Sequence, residues 1–493
     1  MGAGSSGLAT AWIDPVAHIQ AQDEAVYASI ALGMASGNGW LTPKFLGRLA
    51  LFKPPVLYWL SASAAKLLGP SAFALRLPSL LAGAGTATIV FLWVADQAPI
   101  TLALAAALLA ISSHLMFVLS RVAMTDGLLT FETLLAVWML ARDPRLERAS
   151  SLWTFGFASG AAILTKGVAG VFPLLVLAIL CVPRGRPKFA RVVAALAITA
   201  TVSAPWHVYQ LARHPHWFWA EYVLTEHWTW GVSAPGQTTQ EWQVSFYLDR
   251  LIALDPILVA VLLLGLGRVH DRAVRALIVV ILAAVLAFQY RNAAYLMPLF
   301  PALAVAMGLA IPTRWSRAAL AVTVALFAAK VLAPNQTWGL PFAPEFVNTA
   351  YQPLASYAAQ HRGRELILID PDDQFYSSTL GLKVRYVYLD ARRERSRLPL
   401  DFESLGVTVT VDQFARLGEL MPVFAEHLRA FDLDSTAPVA TVILVRDERE
   451  IATLIASHAD ADFYVPARWA DPDQGTHAAV PATSARVFLL AKP

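Results

Sequence analysis

Residues 22–60 read QDEAVYASIALGMASGNGWLTPKFLGRLALFKPPVLYWL, and the reading of this stretch decides the fold. An acidic pair, Asp23-Glu24, opens it. Lys53-Pro54-Pro55 closes it at the mouth of an apolar segment. Between them lie a short amphipathic run and a turn-rich piece, Ser36-Gly37-Asn38-Gly39-Trp40. A carboxylate pair and a lysine at a membrane surface suit one kind of chemistry. The carboxylate can take a proton from an acceptor hydroxyl or amine, and the lysine can hold a leaving phosphate.

The membrane follows from composition. The chain has 493 residues, of which 57% are hydrophobic and 15% charged, with a mean hydropathy of +0.53. Soluble domains average about a quarter charged, so this is a polytopic membrane protein with some soluble mass attached. The net charge of +3 comes without a basic block, which argues against a nucleic-acid partner. A single cysteine, Cys181 in an apolar run, leaves no intrachain disulfide and no cysteine-based metal site. Residues 1–20 carry no cleavable signal pattern and are too mixed for a span.

A span needs about 20 apolar residues. The candidates are 55–69, 76–95, 99–119, 126–141, 152–165, 168–182, 190–211, 251–267, 273–290, 294–311 and 317–333. Arginine and lysine mark cytoplasmic loops. Arg142, Arg145 and Arg148 place 142–150 inside, as Arg184, Arg186, Lys188 and Arg191 do for 183–191. Arg268, Arg272 and Arg275 do the same for 268–275, and Arg314 and Arg317 for 312–317. Counting spans then puts Lys166, the 212–250 loop, Arg291 and everything after 334 outside. Upstream, the count keeps Asp23, Lys53 and Asp126 together only if 99–125 is a hairpin of two partly crossing helices, 99–112 and 115–125, turning at Ser112-Ser113-His114.

After Pro334 the composition changes. Strand-like runs occur at 365–370, 384–389, 407–411, 440–445 and 486–490, with helical runs near 346–361, 412–430 and 447–458. The expected organisation is a transmembrane domain over 1–334, with its first external loop at 20–54, and an extracytoplasmic α/β domain over 340–493.

Each candidate site residue has a bland reading beside the chemical one. Asp23 and Glu24 suit the first turn of a helix. Lys53 before two prolines can simply snorkel to the interface. Asp126 or Thr125 can cap the apolar helix that follows, but an ionisable group at membrane depth leans functional. Glu132, two turns deeper, can pair with Arg121 or line a cavity. Lys166-Gly167 interrupts an apolar run, and its lysine either faces an anionic ligand or pairs with Asp126. The aromatic 205–245 loop holds His207, His214, His216 and His227 with Trp217, Trp219, Trp228 and Trp230. His214-Pro215-His216 invites a metal reading, but no carboxylate or cysteine stands at ligand spacing, so an interfacial aromatic belt is the preferred expectation. The nucleotide-binding, nucleophile-elbow and zincin motifs are absent.

Asp23-Glu24, Tyr27, Gly37, Trp40, Thr42-Pro43 and Lys53-Pro54-Pro55-Val56-Leu57-Tyr58-Trp59 together resemble the first external loop of the GT-C glycosyltransferases. The branch most similar holds the bacterial aminoarabinose-lipid A transferases and the protein O-mannosyltransferases, the dolichyl-phosphate-mannose-protein mannosyltransferase family. The resemblance covers about residues 20–310 and includes Leu164-Thr165-Lys166-Gly167-Val168 and Arg291 before Tyr295-Leu296-Met297-Pro298. In such proteins a first transmembrane helix precedes the acidic pair. Only 22 residues precede Asp23, so either the natural start codon lies further upstream, which is the preferred expectation, or this protein lacks that helix.

The resemblance implies an inverting membrane glycosyltransferase that takes its sugar from a polyprenyl-phosphate donor. The acceptor would be a glycolipid such as lipid A or a protein hydroxyl, outside the cytoplasmic (inner) membrane of a bacterium. It implies Asp23 as base, with Glu24 in support and Asp126 orienting substrate. It implies Lys53, with Lys166 and Arg291, on the lipid phosphate. Many members have an acidic residue just before the lysine, where this chain has Phe52. No cofactor is certain, and a divalent metal stays open. The competing class is a transporter or flippase of lipid-linked sugars, although no internal repeat supports it. The C-terminal domain is expected to help choose the acceptor.

Overall fold

The computed structural model describes residues 23–332 apart from 38, 46–47, 182–186, 234–242, 257–258 and 261–268. Beyond them it describes only 365–369, 384–388, 440–443, 456–457, 461–465 and 486–489.

The opening stretch forms helix α1 (Asp23–Ala35), a small antiparallel ladder of β1 (Lys44–Phe45) with β2 (Arg48–Leu49), and helix α2 (Val56–Leu68). In α1 the buried side chains Tyr27, Ile30, Ala31 and Met34 recur at helical spacing and make one packed stripe. The loop is tied down by indoles. Trp59 Nε1 donates to the Trp40 carbonyl at 2.5 Å, and Trp206 Nε1 donates to the Leu41 carbonyl at 2.8 Å.

Two ends of the helical body can be told apart by their ion pairs. Helix α3 (Ala72–Ala95) starts beside α1, where Arg76 grips Glu24. It finishes beside Asp96, which pairs with Arg142 at 3.1 Å, and Trp93 Nε1 donates to Asp271 at 2.8 Å. At 1.5 Å per residue its length is about 36 Å, enough to cross a bilayer core. Helix α4 (Ile100–Ser112) leaves the Asp96 end, and after an extended Ser113 helix α5 (His114–Leu119) continues. The next turn brings the Ala123 N–H onto Glu24 at 2.8 Å.

This corrects the expected topology. The break falls at Ser112-Ser113-His114 as read, but 100–119 joins the two ends and crosses once, so it is no hairpin of partial helices. The segment that does not cross is 55–69. Its 13-residue helix α2 is about 20 Å long, too short for the apolar core. It also stays beside the start of α3, where Ser61 Oγ donates to the Leu75 carbonyl at 2.8 Å.

Helix α6 (Thr125–Arg142) then runs back to Asp96, and α7 (Ala149–Lys166) returns. The 3-10 turn Gly167–Val171 leads into α8 (Phe172–Leu180). At that turn the chain doubles back so tightly that a Cβ on Gly170 would collide with the Ala162 carbonyl. Helix α9 (Phe189–Arg213) rises to a π-helical segment, Phe218–Ser233, and α10 (Gln243–Leu254) follows. The remaining helices are α11 (Arg272–Ala287), α12 (Leu299–Ala310) and α13 (Ser316–Leu332). Among the described residues five stretches are long and apolar enough to cross a membrane: Ala72–Ala95, Ala149–Leu180, Phe189–Arg213, Ala293–Ala310 and Thr313–Leu332. A buried polar trio joins α13 to the α4–α5 break: Lys330 Nζ lies 2.8 Å from His114 Nδ1, and the His114 N–H donates to Asp255 at 3.0 Å.

The C-terminal region is a parallel five-stranded sheet of β3 (Glu365–Ile369), β4 (Val384–Tyr388), β5 (Ala440–Ile443), β6 (Ala461–Val465) and β7 (Arg486–Leu489). Their order is β4-β5-β3-β6-β7. Four strands match the sequence reading, while 407–411 lies outside the described residues. Strand β6 was not anticipated, although Ala461-Asp462-Phe463-Tyr464-Val465 has the β-favouring residues of a strand. Parallel pairs need long crossovers, which makes this an α/β domain.

Candidate active site

The site lies where the first loop, the α7–α8 turn and the π-helical segment meet. Lys53, Asp126, Lys166, Glu226, His227, Tyr290 and Tyr295 line one open cavity of about 740 Å³, counting its mouth. Much of the rest of its wall is apolar, from Leu129, Val168, Ala169, Phe172, Val285 and Phe288.

Asp126 sits in the first turn of α6 with only 3% of its surface exposed. Lys166 ends α7 and reaches it, Nζ to Oδ1 at 2.6 Å. The same ammonium stands 5.0 Å from the centre of the Tyr295 ring. Of the two readings open for Lys166, the pair with Asp126 is present, and the lysine also faces the cavity. Below it Thr165 Oγ1 donates to Glu132 at 3.0 Å, so Glu132 is engaged by α7.

Lys53 points into the cavity from the first loop and forms an ion pair with Glu226 of the π-helical segment. Burial pulls its ammonium down to about 8, with Lys166 pushing the same way and Asp23 and Asp126 opposing. Lys53 is thus within electrostatic reach of Asp23, Asp126 and Lys166. Asp23 itself is exposed at the start of α1.

Glu24 is buried, and both its oxygens are used. Arg76 donates Nε and Nη2 to them at 2.7 and 2.9 Å, and Ala123 adds its N–H. A bidentate guanidinium contact is directional and strong, so it clamps the start of α1 to α3 and to the turn before α6. That clamp holds Asp23 and Asp126 in one neighbourhood. Arg291 follows the lining residue Tyr290 in sequence but is not itself among the lining side chains, and its guanidinium stands 5.8 Å from the centre of the Phe246 ring.

Glu226 and Arg76 are site residues that sequence reasoning missed. The absence of an acid at Phe52 was a usable signal for Glu226, since a buried lysine needs a counter-charge. The π-helical segment that carries it is fastened at several points. Glu221 accepts the Leu51 N–H at 2.5 Å and the Trp217 indole at 2.9 Å. His227 Nε2 accepts the Val168 N–H at 3.2 Å while Nδ1 meets the Tyr222 carbonyl, which fixes the tautomer. Burial lowers the His227 pKa, and Lys53 adds to that. Gly167 makes this approach possible: its φ is +57°, and a Cβ there would lie 2.5 Å from His227 Nε2.

The aromatic loop is only partly the belt expected. Trp219 and Trp228 are exposed, but Trp217, Phe218 and Tyr222 pack with Trp206, Leu49 and Leu51 as a second small core. His207 is used inside that core, with Nε2 2.8 Å from the Tyr222 hydroxyl. Among the described residues no group of three or more His, Cys, Asp or Glu side chains could hold a metal ion.

Helical crossings, a first loop that closes a paired-charge cavity and a C-terminal parallel sheet define the class, a polytopic membrane protein, and the structures it superposes on give its fold as GT-C. The crystal structure of ArnT from Cupriavidus metallidurans in the apo state superposes with a TM-score of 0.60 at 16% identity, covering 84% of this chain and 89% of that one. The same protein bound to undecaprenyl phosphate gives 0.61 at 18% identity over the same shares. Residues 52–209 match the family model described as dolichyl-phosphate-mannose-protein mannosyltransferase. An undecaprenyl phosphate-alpha-4-amino-4-deoxy-L-arabinose arabinosyl transferase of Pseudomonas aeruginosa is 33% identical over 242 residues, 46% of this chain and 43% of that protein. Its counterpart in Erwinia tasmaniensis is 28% identical over 214 residues, 42% and 38% of the two chains. The matched stretch thus spans under half the length of these curated relatives. The resemblance to the GT-C glycosyltransferases, in the branch read from residues 22–60, holds.

Proposed function

We propose that this chain is an integral membrane glycosyltransferase that moves a sugar from a polyprenyl-phosphate donor to a lipid or protein acceptor. One observation carries the reading: Lys53 and Lys166, beside Asp126 and within reach of Asp23, line a largely apolar cavity. Two ammonium groups suit a phosphate, and apolar walls suit the first units of a prenyl tail.

In this reading Asp23 takes the proton from the acceptor hydroxyl or amine. The acceptor attacks the anomeric carbon from the face opposite the phosphate and inverts it. The bond from that carbon to the phosphate oxygen breaks, and its electron pair leaves with the lipid phosphate. Lys53 and Lys166 stabilise that charge as it builds, and Arg291, next in sequence to the lining residue Tyr290, adds a third cation. Asp126 keeps Lys166 in place. Glu24 is a positioning residue, because its carboxylate is fully engaged by Arg76 and Ala123. The relatives in Pseudomonas aeruginosa and Erwinia tasmaniensis are aminoarabinosyl transferases named for an undecaprenyl phosphate-linked donor, and that favours an undecaprenyl-phosphate aminopentose here. With that chemistry goes a bacterial inner membrane, with the cavity on its outer face, a lipid A-type acceptor and a C-terminal domain that helps select it.

The test is transfer in proteoliposomes from a radiolabelled polyprenyl-phosphate sugar to an envelope extract. Label should move to an acceptor, and Asp23→Asn and Lys53→Ala should abolish it. Label crossing the bilayer without transfer would replace this reading by a transporter.

A further inference from the structure

The residue just before Lys53 supplies no carboxylate. Phe52 stands there and packs on Tyr27, ring centroids 6.3 Å apart. Yet Lys53 has a carboxylate partner, brought in from the π-helical segment. We infer that Glu226 is an exchangeable counter-ion of Lys53, holding the lysine while the cavity lacks an anion and giving it up to the lipid phosphate of the donor.

The inference rests on the reading of Lys53 as the phosphate-holding residue. The two lysines of the cavity are held differently. Lys166 is paired to Asp126, which is 3% exposed and built into α6. The Lys53–Glu226 pair is more open, with side chains 15% and 22% exposed, and both line the cavity. An ammonium in a mostly apolar cavity is costly without a partner, so the site needs a carboxylate before substrate arrives. Once a phosphate arrives, two anions meet at one cation and repel each other. The phosphate brings more acceptor oxygens and wins the ammonium. The scaffold behind Glu226 does not depend on the pair. Glu221 is fixed by Leu51 and Trp217, and His227 by Val168 and Tyr222. The carboxylate can therefore swing away while its backbone stays. By competing for Lys53, Glu226 lowers donor affinity.

The experiment measures binding of undecaprenyl phosphate to the full chain in nanodiscs by tryptophan fluorescence. It compares wild type, Glu226→Gln, Glu226→Ser, Lys53→Ala and the Lys53→Ala/Glu226→Gln double variant, each first checked by thermal melting. Glu226→Gln is expected to bind about tenfold tighter than wild type, and Glu226→Ser to follow it if Gln does not fold. The gain is expected to vanish on the Lys53→Ala background. Unchanged or weaker binding by the Glu226 variants, with wild type binding, overturns the exchange and leaves the donor reading intact. No binding by any form overturns both.

Discussion

Lys166 Nζ lies 2.6 Å from Asp126 Oδ1, joining the end of α7 to the start of α6 at the wall of the cavity. Removing one member leaves the other charge uncompensated in a poorly hydrated place. Asp126→Asn should therefore lower stability by roughly 3–5 kcal/mol. The double variant Asp126→Leu/Lys166→Met should recover most of that loss and none of the transfer activity. Unfolding in detergent, run beside the transfer assay, separates the two effects.

Asp23 tests the base. It is exposed at the helix start, so its substitution should not disturb the fold. Asp23→Asn should reduce the turnover number by about 100-fold or more, the usual scale of general-base catalysis, with melting temperature and donor affinity unchanged. Full activity at normal expression would remove Asp23 from that role.

Lys53 gives the donor site a pH dependence. Its pKa is pulled down to about 8, so it is charged below that pH and neutral above it. Donor affinity should hold up to about pH 7.5 and decline as pH rises through 8 to 9. Lys53→Arg stays charged throughout and should flatten the profile. A wild-type dissociation constant that is level from pH 7 to 9.5, with Lys53→Ala binding as tightly as wild type, would exclude Lys53 as the phosphate ligand.

Gly167 tests the packing that holds the π-helical segment over the site. A methyl group there collides with His227 Nε2 and Tyr222, in a backbone conformation that L side chains rarely adopt. Gly167→Ala should cost about 1–3 kcal/mol and weaken donor binding, while Gly33→Ala, with nothing within 4 Å of the added Cβ, should do neither. Thermal melting and the binding assay together read out both.

How far the sequence could be read differs from residue to residue. The break at Ser113 was legible because polar residues interrupt an apolar run, and the turn at Lys166-Gly167 because a charge and a glycine do the same. That Lys53, Asp126 and Lys166 belong together was legible from motif order, and one cavity is lined by all three. Glu226 itself was not: the missing acid at Phe52 says that Lys53 needs a counter-charge from elsewhere, but nothing in its own neighbourhood marks Glu226 as the one that supplies it. The failure of 55–69 to cross was not legible either: Val56–Leu68 is apolar enough to be mistaken for part of a span, and only its place beside Arg76 and Leu75 shows where it lies.

The sequence by itself determined the membrane class, most of the helices, the α/β character of the C-terminal region and the chemistry on offer at residues 22–60. These are matters of local hydropathy, periodicity and residue type, which a short window of chain contains. The tertiary structure alone decided which charge meets which: Glu24 with Arg76, Lys166 with Asp126, and Lys53 with Glu226. An ion pair depends on distance and on the water excluded around it, and both are set by helices packing together from distant parts of the chain.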